Sequence, residues 1–384
     1  MTDHAAWDGA VARAALARAF DEHVRPLIPA GTEPIDVHAH LGRDHADGSS
    51  LDPETLLASM RAHGVARTVV FPFAAADRAE YPALNDAVLA AAAAGDGTLV
   101  PFCRAEPGDG FAAELERALD RGARGIKLHT SEHVFDFADP RLAEAFAIAQ
   151  ERAVPILFHA GRGLDPFAPR LEALLQRYPR VQVVLAHASI GDQQEVAERF
   201  VGDARVRFDP SLWNPLDVHA LLALVAPEQL VFGTDMPYYT PAGCAARLLL
   251  ALRRAGGTTE QARAALEQNA ARMLAGQPAA SLSAPLGDGS LRFGVDRLRA
   301  HEYTLMTVPL IWQQQRDVTG ALRLARQTLR TVRTPQAETA AELLALAADA
   351  WAAELASGDR REVLTLSWLA FRLVELADAL ILAA

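Results

Sequence analysis

Five histidines stand at the ends of short apolar runs: His38 and His40 in IDVHAH, His129 in GIKLHT, His159 in PILFHAG and His187 in VVLAHAS. Side chains alternate along a strand, so His38 and His40, two residues apart, point to the same side and bring two imidazoles toward one point. A single histidine on such a run reads most simply as a hydrogen-bonded core residue, but five at equivalent places form a set. Asp235 ends a further run, VFGTDMP. A buried carboxylate there needs a cation, a hydrogen-bond donor or a proton, because desolvation without one is costly. Helix capping near Pro237 is the plainer use of Asp235; metal ligation is the use that accounts for the histidines too. Imidazole and carboxylate donors suit zinc, and also manganese, iron or nickel, with a position left open for water.

Lys127 is the only lysine among 37 lysines and arginines. Where charge alone is wanted this chain uses arginine, so its one lysine invites a chemical reading. Only lysine loses its proton readily when buried, and only a neutral amine can take up carbon dioxide or attack a carbonyl. The alternative is a plain ammonium that binds a substrate acid. His129, two residues on, faces the same side. Arg162, in the Gly-Arg-Gly turn after His159, is a candidate clamp for a substrate carboxylate. Trp213, Asn214, Tyr238 and Tyr239 fall on later loops, where they either wall a pocket or pack on the surface.

These residues need a scaffold that gathers strand ends. Apolar runs followed by helical stretches recur eight times, at residues 35–40, 67–73, 99–104, 125–129, 155–159, 182–187, 206–209 and 230–235. Helices are expected at 53–63, 110–121, 140–152, 167–178 and 259–274, several with Pro or Asp near the start. Eight such units close into a (β/α)8 TIM barrel, an α/β fold whose active face lies at the carboxyl ends of the strands. An open doubly wound sheet is the alternative, but no Gly-rich phosphate loop follows the first strand.

Three regions follow: residues 1–33 hold a helix (about 5–24) and a lead-in, residues 34–276 form the catalytic barrel, and residues 290–384 form an additional C-terminal all-helical domain. The Pro-, Gly-, Ala- and Ser-rich stretch 277–289 separates the last two. In the tail, Thr319 reads as an N-cap before a stripe of Leu322, Ala325, Leu329 and Val332. Leu344, Ala348, Trp351 and Leu355 mark a second buried face; Leu366, Leu369, Leu373, Leu376 and Leu380 mark a third. Residues 291–333 carry eight arginines against three acids, and 334–384 three against eight, so the two halves are expected to pair. An Arg323, Arg326, Arg330 and Arg333 stripe that grips an acidic partner is the functional alternative. With no cluster of ligand types there, the tail is read as an assembly or lid element, and self-association into a homo-oligomer is its expected partnership.

The formal charge of -11 argues against a nucleic-acid surface and leaves a small molecule as the expected partner. Two cysteines, Cys103 and Cys244, give no disulfide framework and fit a reducing cytoplasm. No signal peptide or membrane span is read; in the most apolar run, 364–384, Arg372, Glu375 and Asp378 recur at helical spacing.

Taken together, IDVHAH, GIKLHT, PILFHAG, VVLAHAS and VFGTDMPYY resemble the amidohydrolase superfamily, in its amidohydrolase-related branch of metal-dependent hydrolases and nonoxidative decarboxylases. The likeness spans about residues 34–275. Its one-metal form implies His38, His40, His159 and Asp235 as ligands, with His187 orienting or deprotonating the bound water. Its two-metal form implies a carboxylated Lys127 bridging two ions, one on His38, His40 and Asp235 and the other on His159 and His187. In both, the ion lowers the pKa of its water from about 15.7 toward about 7, and Asp235 or His187 shuttles the proton.

The leading expectation is thus a zinc-dependent hydrolase of an amide, cyclic amide, lactone or ester in a small, carboxylate-bearing substrate. Nonoxidative decarboxylation of an aromatic or unsaturated acid is the second. A catalytically silent barrel serving as a scaffold is the third, and metal content separates it from the other two.

Overall fold

A computed structural model describes residues 9–383 apart from 131, 133, 134, 136, 162–166, 213, 288–291, 314, 316 and 357–359; of residues 360–366 it gives the helical backbone alone. Seven segments form parallel ladders: β1 Ile35–Arg43, β2 Arg67–Pro72, β3 in two pieces (Leu99–Pro101 and Cys103–Arg104), β4 Ile126–His129, β5 Ile156–His159, β6 Val183–Ala186 and β7 Val206–Asp209. β3 bends at Phe102, so that its first piece pairs with β2 and its second with β4.

The eighth expected strand, residues 230–235, closes the barrel without a continuous ladder. It touches its neighbours through single bridges, Leu230 to Phe208 and Met236 to Ala39, and through bonds from Val37 N to Phe232 O and from Val231 N to Phe208 O. Two local features break the regular pairing. Asp235 is left-handed at φ 53°, and Gly233 lies where a Cβ would fall 2.2 Å from an Asp209 carboxylate oxygen. Only glycine lets the segment pass that close.

The barrel interior is filled by Ile35, Val37, Val69, Phe71, Phe102, Leu157, Val184, Ala186 and Val231, with Ala270 and Met273 packed against them. The strands are buried along nearly their whole length, which is why they read as apolar runs rather than alternations. Helices cover them. Pro53–His63 shows how local chemistry sets the limits: Asp52 accepts from Thr55 N, Pro53 opens the first turn, and Gly64 at φ 71° ends it. The expected 259–274 helix is interrupted by a π turn, Ala264–Gln268. At the N-terminus the helix is Ala10–His23; residues 1–8 lie outside the described residues.

Among the described residues four helices make up the tail, Val295–Trp312, Val318–Leu329, Pro335–Ala356 and Arg360–Ala383. The last packs on the barrel helix Pro241–Arg254, which is buried at every residue from Pro241 to Leu252. Three expectations for the tail need correction. Thr319 is no N-cap: its helix starts at Val318 after Asp317, with no side-chain cap bond. Leu355 is 49% exposed, because the buried face of its helix runs through Leu343, Leu344, Ala347, Ala350, Trp351 and Glu354. The arginines at 323, 326, 330 and 333 are exposed, and among the described residues no acid pairs with them. The apolar stripes, not the opposite charges, hold these helices together: Leu322, Ala325, Leu329, Leu369, Leu373, Leu376 and Leu380 are all buried, whereas Leu366 lies among the residues described by backbone alone. Among the described residues no helix is long and apolar enough to cross a membrane.

Candidate active site

Asp235 is the hub of the barrel mouth. Its Oδ1 lies 3.0 Å from His38 Nε2 and 3.1 Å from His40 Nε2, and its Oδ2 lies 3.9 Å from His187 Nε2. His159 adjoins His187 with ring centroids 4.8 Å apart, and His129 stacks on His159 at 3.8 Å. Strand-end placement therefore brings all five histidines to one mouth, as their spacing predicts. Asp235 caps no helix; the following one, Pro241–Arg254, is capped by Thr240.

The backbone that carries these groups is locally strained. His187, Ala188 and Ser189 are left-handed in succession, with φ of 56°, 48° and 57°. Such residues cost on the order of 1–3 kcal/mol each and persist where the surroundings hold them. Here the hold is visible: His187 Nδ1 donates to the carbonyl of Ser211 at 2.8 Å. Gly161 brings the chain so near His159 that a Cβ would fall 2.5 Å from its Nε2.

Tautomers decide what the mouth can hold. A carbonyl can only accept, so His187 Nδ1 carries the proton and its Nε2 presents a lone pair. His38 repeats the arrangement: its Nδ1 lies 2.7 Å from Asp209 Oδ2, which also accepts from Ser211 Oγ. That leaves His38 Nε2 buried and facing Asp235 Oδ1 at 3.0 Å. Among the described residues, His38, His187 and Asp235 form the one group whose ligand atoms all lie within 4.8 Å of one another. A carboxylate flanked by the Nε2 atoms of two imidazoles, each ring already engaged through its Nδ1, is a set of ligand atoms that a divalent cation satisfies.

The charges agree. Burial pushes the Asp235 carboxyl up, but His38 and the bonds from His38 and His40 outweigh it and hold the group well below the usual carboxylate range. Burial lowers His40 to about 3, and lowers His159 and His187 as well, so these rings are neutral. His38 is the exception: burial lowers it, yet Asp235 and Asp209 together raise it above the ordinary value. The single proton it can carry answers one contact and leaves His187 still facing the carboxylate.

Lys127 is fully buried one layer below. Burial first, then Arg104, lowers its amine to about 7, and Nζ has no hydrogen-bond partner. It lies 4.8 Å from the Phe71 ring centre, and it does not line the cavity above.

That cavity, about 560 Å³, is floored by the histidines and Asp235 and walled by Glu132, Leu212, Tyr238 and Tyr239. His129 and Tyr238, expected from the sequence to meet substrate, line this cavity; Arg162 and Trp213 lie outside the described residues. Asn214 is an N-cap, accepting from Leu216 N. Sequence reasoning missed Asp209, which orients His38, and Glu132, which pairs with the buried Arg104 and lies 3.3 Å from His129 Nε2. Asp209 ends its strand as Asp235 ends the eighth segment, a parallel that was available in RFDP. It also missed Val308, Pro309 and Trp312, which bring the tail into the cavity wall.

Comparison with known proteins agrees on the fold. A family profile described as amidohydrolase matches residues 35–275. A solved amidohydrolase II is 21% identical with a TM-score of 0.50, covering 63% of this chain and 99% of its own. Metarhizium anisopliae IDCase is 17% identical (TM-score 0.50; 64% and 98%). A 5-carboxyvanillate decarboxylase from Novosphingobium aromaticivorans, solved with manganese and a nitrobenzoic acid bound, is 13% identical (TM-score 0.50; 64% and 97%). No curated protein matches the chain. With five strand-end histidines and an aspartate gathered at one barrel mouth, and a family match over most of its length, this chain belongs to the amidohydrolase family.

Proposed function

We propose that the chain is a divalent-metal-dependent enzyme that hydrolyses a C–N or C–O bond (amide, cyclic amide, lactone or ester) of a small molecule, with residues 34–276 as catalytic domain and 290–384 as a helical domain. The observation that carries this is the meeting of His38 Nε2, His187 Nε2 and Asp235 within 4.8 Å of one another, with the Nδ1 of each ring already held by Asp209 or by the Ser211 carbonyl. The ligand set proposed from sequence is His38, His40, His159 and Asp235; the side-chain positions favour His38, Asp235 and His187 as its centre, with His40 on the same carboxylate oxygen. Zinc is the proposed ion, and manganese, iron or nickel would suit the same donors.

A bound divalent ion acidifies water and polarises a carbonyl. The chain's own groups do the rest. Asp235, with its second oxygen toward His187, is placed to take a proton from the attacking water and pass it to the leaving group. Asp209 and the Ser211 carbonyl fix the tautomers of His38 and His187, so that neither ring turns its N–H toward the ion. Lys127, buried without a partner, fits a neutral amine better than a substrate-binding ammonium, which supports the carboxylated form as the second-ion variant. Arg162 remains the proposed clamp for a substrate carboxylate.

Nonoxidative decarboxylation is the second reading. Leu212, Tyr238, Tyr239 and Trp312 give the cavity walls that suit a flat unsaturated acid. A small-molecule substrate, a cytoplasmic setting, no nucleic-acid or membrane partner, and self-association through the tail helices complete the proposal.

One experiment tests the core of it: metal analysis of the purified protein, then turnover of a panel of lactones, amides, esters and benzoic acids before and after chelation. One or two tightly held ions, with activity that chelation removes and the ion restores, are expected. A protein holding no ion overturns the reading. Lys127→Arg should lose about 90% of activity or more, and under the carboxylated reading one ion as well.

A further inference from the structure

The catalytic cavity does not end at the barrel. Val308, Pro309 and Trp312, from the tail helix Val295–Trp312, stand over its mouth. Beyond them lies a second cavity of about 290 Å³, lined by Asp47, Ser49, Tyr238, Ile311, Trp312, Ser367, Trp368 and Phe371. Tyr238 and Trp312 belong to both linings. The two spaces adjoin, with Tyr238 and Trp312 as the side chains common to both walls.

The outer space is built for an apolar group. Trp368 meets Phe371 edge-on at 6.0 Å, Trp312 lies 6.0 Å from Phe371, and Tyr238 lies 6.3 Å from Trp368. Tyr238 also meets the His40 ring edge-on at 5.9 Å, so the aromatic wall runs from the proposed metal ligands to the outer groove. Trp312 is 58% exposed although it closes a helix whose Ala300, Thr304, Thr307, Val308 and Ile311 are buried. An indole left in water between two cavities contributes little to folding and much to a ligand that covers it. Five of the eight lining residues, Ile311, Trp312, Ser367, Trp368 and Phe371, come from the tail, outside the segment 35–275 that matches the family.

We infer that the tail supplies a specificity subsite: the substrate is an elongated molecule whose reacting carbonyl or carboxyl group sits at the histidines and whose flat apolar arm passes between Tyr238 and Trp312 onto Trp368 and Phe371. The inference rests on the proposed metal-dependent reading of the inner cavity. The tail acts on which substrate is taken, and the barrel on what is done to it.

The test uses metal-loaded full-length protein and two chelating probes, acetohydroxamate and biphenyl-4-hydroxamate, with binding followed by calorimetry. The readout is the ratio of their affinities in each protein. In the wild type the biphenyl compound should bind at least about thirtyfold tighter, from burial of its rings. In Trp312→Ala, whose exposed side chain is removed without cost to the core, and in Trp368→Ala, the ratio should fall about tenfold. A ratio that persists in both variants, or a wild type that does not distinguish the probes, overturns the subsite. So does a dimer in sedimentation that Trp312→Ala dissociates without changing the ratio, because the rings would then serve a second copy of the chain. If acetohydroxamate itself fails to bind the metal-loaded protein, the metal-centre reading fails first and the subsite with it; the short probe thus separates the two failures.

Discussion

The barrel mouth and the seam between barrel and last helix both bury charge completely, and they resolve it in opposite ways. In the mouth, Asp235 faces the Nε2 atoms of His38 and His187, and the nearest amine, Lys127, is a layer below with no hydrogen-bond partner. In the seam, Glu375 lies 2.8 Å from Arg247 Nη1 and accepts from Thr240 Oγ1, and one turn further along the last helix Asp378 meets His301 Nδ1 of the tail helix Val295–Trp312 at 2.8 Å. Opposite charges close the seam within the chain. Ligand atoms aimed at one point leave the mouth open to something from outside it. Buried charge alone therefore marks neither function nor stability; the identity of the partner does.

The two regions should break differently. Asp235→Ala is expected to abolish turnover and tight metal binding, the largest effect of any single change, while the metal-free protein still folds. Elemental analysis and circular-dichroism melting check both halves; retained metal would show that Asp235 is no ligand. Glu375→Ala should do the reverse. It strands Arg247 in the interior and should cost about 3–5 kcal/mol of stability, with metal content per folded molecule unchanged. Pairing it with Arg247→Met should recover most of that loss in urea titration, since the cost is an orphaned charge and not a missing bond. If Glu375→Ala alone unfolds no earlier than the wild type, the seam is not an ion-paired core.

The mouth was legible in the sequence and the seam was not, for a physical reason. The histidines announce themselves because each ends an apolar run, and the strand period of two ties His38 to His40. Barrel closure then gathers strand ends whatever their distance along the chain. Arg247 and Glu375 lie on two helices that meet only through tertiary packing, and each alone looks like an ordinary charged helix residue. Gly243 held a clue: a Cβ there would fall 2.2 Å from the Glu375 carboxyl carbon, so the first turn of the barrel helix has room only for a glycine at that position. The arginine stripe misled because charge counts carry no direction, and those side chains point to solvent. The regular eighth strand was likewise unreadable, since Gly233 and the left-handed Asp235 break it in order to admit Asp209.

A smaller perturbation would sharpen the contrast by loosening the mouth without removing a ligand. Asp209→Asn keeps the size of the group that holds His38 but weakens its hold on the ring proton. Metal affinity should fall about 10–100-fold, the usual scale for such supporting partners, with the fold intact and the ion restored at high concentration. Competition against a chelator measures this, and unchanged affinity would mean that Asp209 serves the barrel rather than the site.

The smallest expected effect lies at the edge of the seam, where a third solution to burial appears. His219, on the helix Pro215–Leu222, meets Phe293 edge-on at 5.5 Å and keeps a buried Nδ1 without a partner. Burial, aided by Arg254, lowers its pKa to about 4. Here the charge is neither paired nor offered to a ligand; it is avoided. Because the folded value lies below the unfolded one, near 6.5, the unfolded chain binds the extra proton between them. Stability from this group is therefore full above pH 6.5 and is lost as the pH falls toward 4. Lowering the pH from 6.5 to 5.5 should cost the wild type about 1 kcal/mol more than His219→Phe, which keeps the ring against Phe293 and cannot titrate. Urea titrations of the two proteins at both pH values decide it: equal losses would place His219 in contact with water, and a larger loss in the variant would mean that the histidine is held as the cation.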